Sequence, residues 1–353
     1  MKTSVPFSPA AGGRFLLMLC CSWMFGAGGQ AHDASSGDPP SPRRATPLMV
    51  TRVIPAGSSD TPFDRLEAVF DQSLQPDSFT ASDVVLDGPG GAAQPVAAPT
   101  RLSDGRYELS FAGLTGGAVY TLTIGPDILS ADGAAMSEAF VATLVSTETA
   151  VGETDTAFDD TVLLSAGAVV TLAGVHAFAG IDLLQGGALS HSAGVDGEGS
   201  ADYLTVSGTM RIDEHSTLEL SSAGTVADAV AVDGASTLAL PGGGTLTVHG
   251  PLQVTDSSTV RVEGRNTHGL VDGVWAGEGG TIEAAQISVD VSSIISADGE
   301  GYTHEQGPGA GAYVNYSYAG GGGYGGYGGG GGGGGNRYGS ATEPTDLGSG
   351  GDG

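Results

Sequence analysis

LTVSGTMRIDEHSTLEL at residues 204–220 and LTVHGPLQVTDSSTVRV at residues 246–262 match over their whole length, at an offset of 42. A shorter unit recurs twice as often. Ser216-Thr217-Leu218-Glu219-Leu220 returns as Ser236-Thr237-Leu238-Ala239-Leu240, as Ser258-Thr259-Val260-Arg261-Val262 and as Gly280-Thr281-Ile282-Glu283-Ala284, at spacings of 20, 22 and 22. A period of about 21 residues is one coil of a parallel β-helix, in which each short strand stacks on its counterpart in the next coil, roughly 4.8 Å away.

Strand alternation sorts this repeat into faces. It predicts one inward ladder of Leu218, Leu238, Val260 and Ile282 and a second of Leu220, Leu240, Val262 and Ala284. Thr217, Thr237, Thr259 and Thr281 are expected in an outward file, with Glu219, Ala239, Arg261 and Glu283 as the next. That register sets Arg261 against Glu283 on the following coil, an exposed pair worth at most about 1 kcal/mol. Residues 158–192, which include VLLSAGAVVTLAGVHAFAGIDLLQGGALSH, have the same character at a looser period and read as the first coils. Residues 194–200 read as an inserted loop, and the β-helix as a whole spans 148–300.

Upstream, residues 48–147 carry the period of two expected of half-buried strands. Leu66, Ala68 and Phe70 alternate with Glu67 and Val69; Tyr107, Leu109 and Phe111 alternate with Glu108 and Ser110; Tyr120, Leu122 and Ile124 alternate with Thr121 and Thr123. Turn clusters such as DGPGG at 87–91 and SDG at 103–105 separate them, which is the pattern of a β-sandwich of about 100 residues. The run PFDRLEAVFDQSLQPDSFTASDVVLDGPGG, followed by GLTGGAVYTLTIGPDILSADGAAM, resembles the bacterial immunoglobulin-like domains of large surface proteins of the S-layer type. The resemblance covers 48–145 and rests most on AVYTLTIGPDI. Ser130 and Ala134 stand where that family has Asp and Asn around its final turn. It implies an immunoglobulin-like domain that acts as a spacer.

The first 31 residues place Lys2 and Arg14 ahead of an apolar run from Phe15 to Phe25, with the small residues Gly29 and Ala31 after it. This is the layout of a secretory signal peptide cleaved after Ala31, and the run falls short of the roughly 18 residues of a spanning helix. Residues 32–47, HDASSGDPPSPRRATP, read as a linker. Cys20 and Cys21 depart with the signal, so the mature chain is expected to rely on packing and strand pairing with no disulfide. Cleavage removes two cations and no acid, which moves the net charge from −28 to −30. Such a charge argues against a nucleic-acid partner.

From Gly301 to Gly353 the sequence becomes rich in Gly and Tyr. Glycine runs offer no side chains for a core, so a flexible, disordered segment is expected. Preceded by ISADGEGY, it resembles the Gly-rich insertions of very large bacterial surface β-helix proteins. In those proteins another coil follows a phrase such as YGSATEPTDLGSGG. The resemblance therefore implies either a truncated product or a short relative that lacks its C-terminal coils and cap, with an open strand edge that favours self-association.

Motifs that carry chemistry are few. The histidines at 32, 176, 191, 215, 249, 268 and 304 show no metal-ligand spacing and read as solvated turn residues. Gly-X-Ser-X-Gly, phosphate-loop and zinc motifs are missing from the sequence. β-Helices do host polysaccharide lyases and glycosidases, but the candidate groups Asp213, Glu219 and Arg261 are scattered along a Thr-rich face. Asp196-Gly197-Glu198-Gly199 and Asp298-Gly299-Glu300-Gly301 repeat one acidic tetrapeptide. Asp196, Glu198, Asp298 and Glu300 are weak candidates for calcium, because a site takes about six or seven oxygens and each tetrapeptide brings only two acids.

The expectation is an all-β chain with an immunoglobulin-like sandwich, a parallel β-helix and a glycine-rich tail. Its expected role is that of an exported, non-enzymatic structural or adhesive surface module that needs no cofactor. Expected partners are surface polysaccharide or other surface proteins. The alternative is a carbohydrate-active or carbohydrate-binding β-helix protein.

Overall fold

The computed structural model describes residues 46–56, 64–111, 119–145, 148–192, 204–312, 320–330, 333–342 and 345–351. The expected signal peptide, the linker up to residue 45 and the Asp196-Glu198 loop lie outside these residues. The described residues belong to one compact unit that starts at Ala45.

Eight strands come first: β1 (Val50–Ala56), β2 (Arg65–Phe70), β3 (Val84–Gly88), β4 (Ala92–Gln94), β5 (Thr100–Ser103), β6 (Arg106–Ser110), β7 (Val119–Ile124) and β8 (Phe140–Val145). They pair in two antiparallel sets, β1-β2-β6-β5 and β8-β7-β3-β4. Period-two alternation explains the core between them: Leu66 and Leu109 from the first set meet Leu86, Leu122 and Leu144 from the second in one buried cluster. The edge-to-face rings of Phe70, Phe79 and Tyr107, with centroids 5.3–6.0 Å apart, fill one part of it. At the final turn the buried Ser130 hydroxyl accepts the Ala134 N–H at 3.0 Å, so a short side chain satisfies this turn.

The coils follow as β9 (Thr149–Val151), β10 (Val162–Ala166), β11 (Val169–Ala173), β12 (His176–Phe178), β13 (Gly180–Leu184), β14 (Ala188–Ser192), β15 (Leu204–Ile212) and β16 (Thr217–Glu219). They continue as β17 (Gly224–Val232), β18 (Thr237–Leu240), β19 (Thr245–Val254), β20 (Thr259–Val262), β21 (Gly264–Arg265), β22 (Glu278–Gly279), β23 (Thr281–Val289) and β24 (Ile294–Ser296). Successive coils pair in parallel and form two long sheets, as a β-helix requires. Leu204 pairs with Thr225 and Thr225 with Leu246, steps of 21 residues. Register shifts at Val206/Thr209, Ala227/Val230 and Val248/Pro251 turn a corner within each long strand. Gly208 and Gly250 sit at that corner, where a Cβ would collide with the carbonyl of Ala179 or Asp228. Each coil is thus three runs: two on either side of the corner and one in the second sheet.

β8 belongs to both halves of the molecule. It pairs antiparallel with β7 on one side and parallel with β10 on the other, so the longer sheet passes without a break from β4 to β23. On the coil side, β10 and β13 are consequently buried on both faces. Leu163 and Leu183 enter the core of the coils while Leu164 and Leu184 enter the core of the antiparallel region. Strands covered on both faces read as continuous apolar runs, which is why VLLSA and IDLL blur the period.

The ladder Leu218-Leu238-Val260 and the outward file Thr217-Thr237-Thr259 form as expected. The serine of each repeat has a structural reason. Ser216, Ser236 and Ser258 are buried, and the N–H of each donates to the hydroxyl of the next coil's serine, ending on Ser293, at 3.1–3.2 Å.

The fourth repeat is a correction. Thr281-Ile282-Glu283-Ala284 does not continue that file: Thr281, Ile282 and Ala284 stack on Thr245, Leu246 and Val248 in the other sheet, and Ile294 and Ile295 follow Thr259 and Val260. Arg261 pairs with Glu263 in its own strand's exit, and Glu283 lies beside Thr247. The cause is an insertion between β20 and β23. It contains the β21–β22 hairpin, closed by an Arg265–Glu278 ion pair and tipped by the tight turn Val271-Asp272-Gly273-Val274. Its length happens to restore a spacing of 22 between two unrelated Thr positions.

The glycine-rich tail is a second correction. Its described segments lie side by side: the N–H of Gly323 donates to Gly309 O, Ala312 to Gly333 O, Gly335 to Gly321 O, Gly328 to Gly335 O and Gly350 to Gln306 O, at 2.7–2.9 Å. Cβ atoms at Gly311, Gly320, Gly328 or Gly335 would collide with a neighbouring segment's carbonyl oxygen. Glycine here replaces a side-chain core with backbone hydrogen bonds at close approach. The array is tied to the insertion through Tyr302, whose ring meets Trp275 edge-on at 5.3 Å and whose hydroxyl accepts the Gly277 N–H at 2.8 Å.

Candidate functional site

A cluster of four charged side chains built around one buried carboxylate lies where the antiparallel region meets the coils. β13 carries Asp182 between the core residues Ile181 and Leu183, and alternation turns it away from the coil interior. On the next coil, Arg211 of β15 pairs with it in register and places Nη1 2.9 Å from Asp182 Oδ1. Two residues later Asp213 opens the turn and faces Arg52 of β1, Nη2 to Oδ2 at 3.3 Å. Asp182 is 5 % exposed. Its burial raises the carboxyl above the ordinary aspartate range, against the opposing pull of Arg211 and Arg52. These four groups neutralise one another across three strands and a turn, which makes the cluster a brace.

The candidates named from the sequence are not brought together. Asp213 is engaged by Arg52, Glu219 is exposed on the outward file, and Arg261 bonds Glu263. Asp298 donates its N–H to the Ser296 hydroxyl, and Glu300 accepts the Gly264 N–H at 2.9 Å at the base of the insertion. Asp196 and Glu198 lie outside the described residues. Among the described residues, no three His, Cys, Asp or Glu side chains come together as metal ligands.

Two histidines depart from the expectation of solvated turns. His176 and His191 are buried in strands. His176 sets Nδ1 3.2 Å from Asp159 Oδ1 and Nε2 3.1 Å from Ala173 O, while His191 sets Nε2 2.9 Å from Gly174 O. Each ring closes backbone or carboxylate partners around the loop before β12. By contrast His215, His249, His268 and His304 are exposed.

The brace was invisible to sequence reasoning because its members are 29 and 161 residues apart and follow no motif. The one available signal was a charge in an otherwise apolar run, Asp182 in GIDLL. No helix among the described residues is long and apolar enough to cross a membrane. No protein-family model and no curated protein matches the chain.

Proposed function

We propose that this chain is an exported, non-enzymatic structural module of a bacterial surface, in which an immunoglobulin-like spacer carries a β-helix as a display scaffold. The observation that supports this reading most is the shared strand β8, which makes the two regions one continuous sheet. A shared strand couples the two regions through backbone hydrogen bonds on both of its edges, as a spacing element needs. The two antiparallel strand sets around one core support the immunoglobulin-like part. The outward Thr file, flanked by Glu219 and Arg261 on either side of the buried Ala239, suits contact with surface polysaccharide or a neighbouring surface protein.

Export would be tested by N-terminal sequencing of the protein recovered from a bacterial host's envelope and medium, with a start near His32 expected. The function itself would be tested on a panel of acidic and neutral polysaccharides. Retention without turnover supports a display scaffold; bond cleavage or unsaturated product at any linkage would move the protein to the carbohydrate-active class.

A further inference from the structure

The last coil exposes what every earlier coil covers. β23 and β24 are the terminal strands of the two long sheets. Their inward residues Ile282, Ala284, Ile287 and Ile295 stack on Leu246, Val248, Leu252 and Val260. Those partners are at most 2 % exposed, whereas Ile282, Ala284, Ile287 and Ile295 are only partly buried. Val289, which stacks on the buried Val254, is 40 % exposed. The described residues that follow β24 leave the path of the coils for the glycine array, and none of them forms a strand on this end.

From this end face we infer a twofold homodimer, closed by a second copy of this chain through β23 and β24. Apolar residues lie in palindromic order around the corner at Ala285-Gln286. Set antiparallel against its copy with that corner on the axis, β23 brings Ile282 opposite the second copy's Val289 and Ala284 opposite its Ile287, each twice by symmetry. All four point toward the interior of the coils, so the core continues across the interface. The same axis crosses the middle of β24 and sets Ile295 against its own copy. A register one residue to either side would place inward apolar residues opposite outward Glu283 or Ser288.

Charge agrees with this occupant. The chain carries a net charge of −28, so two copies can approach only on a neutral face. Glu283 is the sole ionisable side chain in the two edge strands, and the pairing sets it opposite Ser288 and away from its own copy. The edge holds no lysine and no proline of the kind that blocks strand addition. At the other end of the longer sheet, the coils run on into β8 and the antiparallel region, so the isologous contact closes at two copies and does not grow.

The test uses the full chain, with Cys20 and Cys21 replaced by Ser so that introduced thiols report alone. Sedimentation at about 50 μM is expected to show a dimer. Ser288→Lys, which sets a cation opposite Glu283 of the second copy, should tighten it by about fivefold, and Ser288→Glu should weaken it by a similar factor. Ser288 is exposed, so folding is preserved in both variants. Under mild oxidation Ile295→Cys should give a covalent dimer through its own position, and the exposed Val175→Cys should not. A monomer at that concentration, open-ended oligomers, or equal effects of the two Ser288 variants would each overturn the proposal.

Discussion

Arg52 of β1 reaches across the junction to Asp213, Nη2 to Oδ2 at 3.3 Å, and so joins residues 161 apart in the chain. The two side chains are 22 % and 20 % exposed, which leaves the pair partly screened. A double-mutant cycle of Arg52→Met and Asp213→Asn should therefore return a coupling of about 1 kcal/mol in denaturant melts. A coupling indistinguishable from zero would remove Arg52 from the brace.

Asp182 and Arg211 should respond to pH. Burial raises Asp182 above the ordinary carboxyl range, so the stability associated with its neutral form is present at low pH and is lost as pH rises through that raised value. Arg211→Met would leave the buried carboxylate without its cation and should cost about 3 kcal/mol at pH 7. The cost should shrink toward pH 4, where the carboxyl can hold its proton. A pH-independent loss would assign the effect to packing of the arginine stem.

Much of the fold was legible because its regularities are periodic. Ladder residues such as Leu218, Leu238 and Val260 repeat at coil length, and alternation alone tells them from Thr217, Thr237 and Thr259. The fourth repeat misled because both sheets use a Thr-apolar-X-apolar run: Thr245-Leu246-Thr247-Val248 is the true forerunner of Thr281-Ile282-Glu283-Ala284. Only the insertion's length separates the alternatives, and length carries no pattern. The glycine tail misled for another reason. Composition reports the missing side-chain core but not backbone bonds such as Gly335 to Gly321, which need no side chain. The brace depends on tertiary distance alone.

Thr225 occupies a core position between Leu204 and Leu246, fully buried, and its hydroxyl finds no hydrogen-bond partner. Thr225→Val keeps the shape and removes the unsatisfied group, so it should stabilise the protein by about 1 kcal/mol. Calorimetry or urea melts would read this as a higher midpoint; a lower one would imply that the hydroxyl is satisfied.

Leu238 and Thr237 are adjacent in sequence and opposed in environment. Leu238 is fully buried between Leu218 and Val260, whereas Thr237 lies on the outward file. Leu238→Asp should cost several kcal/mol, at least about 3, and Thr237→Asp less than about 1. Equal losses would mean that the register is misassigned by one residue.

The claim on which the proposed role rests is that β8 serves both regions at once, and hydrogen exchange followed by mass spectrometry tests it most directly. Leu144 of β8 is buried in the core of the antiparallel region, so Leu144→Ala should weaken that core by about 2–5 kcal/mol. Because β8 pairs with β7 on one side and β10 on the other, amide protection should fall in both strands together. Loss of protection in β7 with β10 unchanged would contradict the shared strand and reduce the junction to two independent domains in contact.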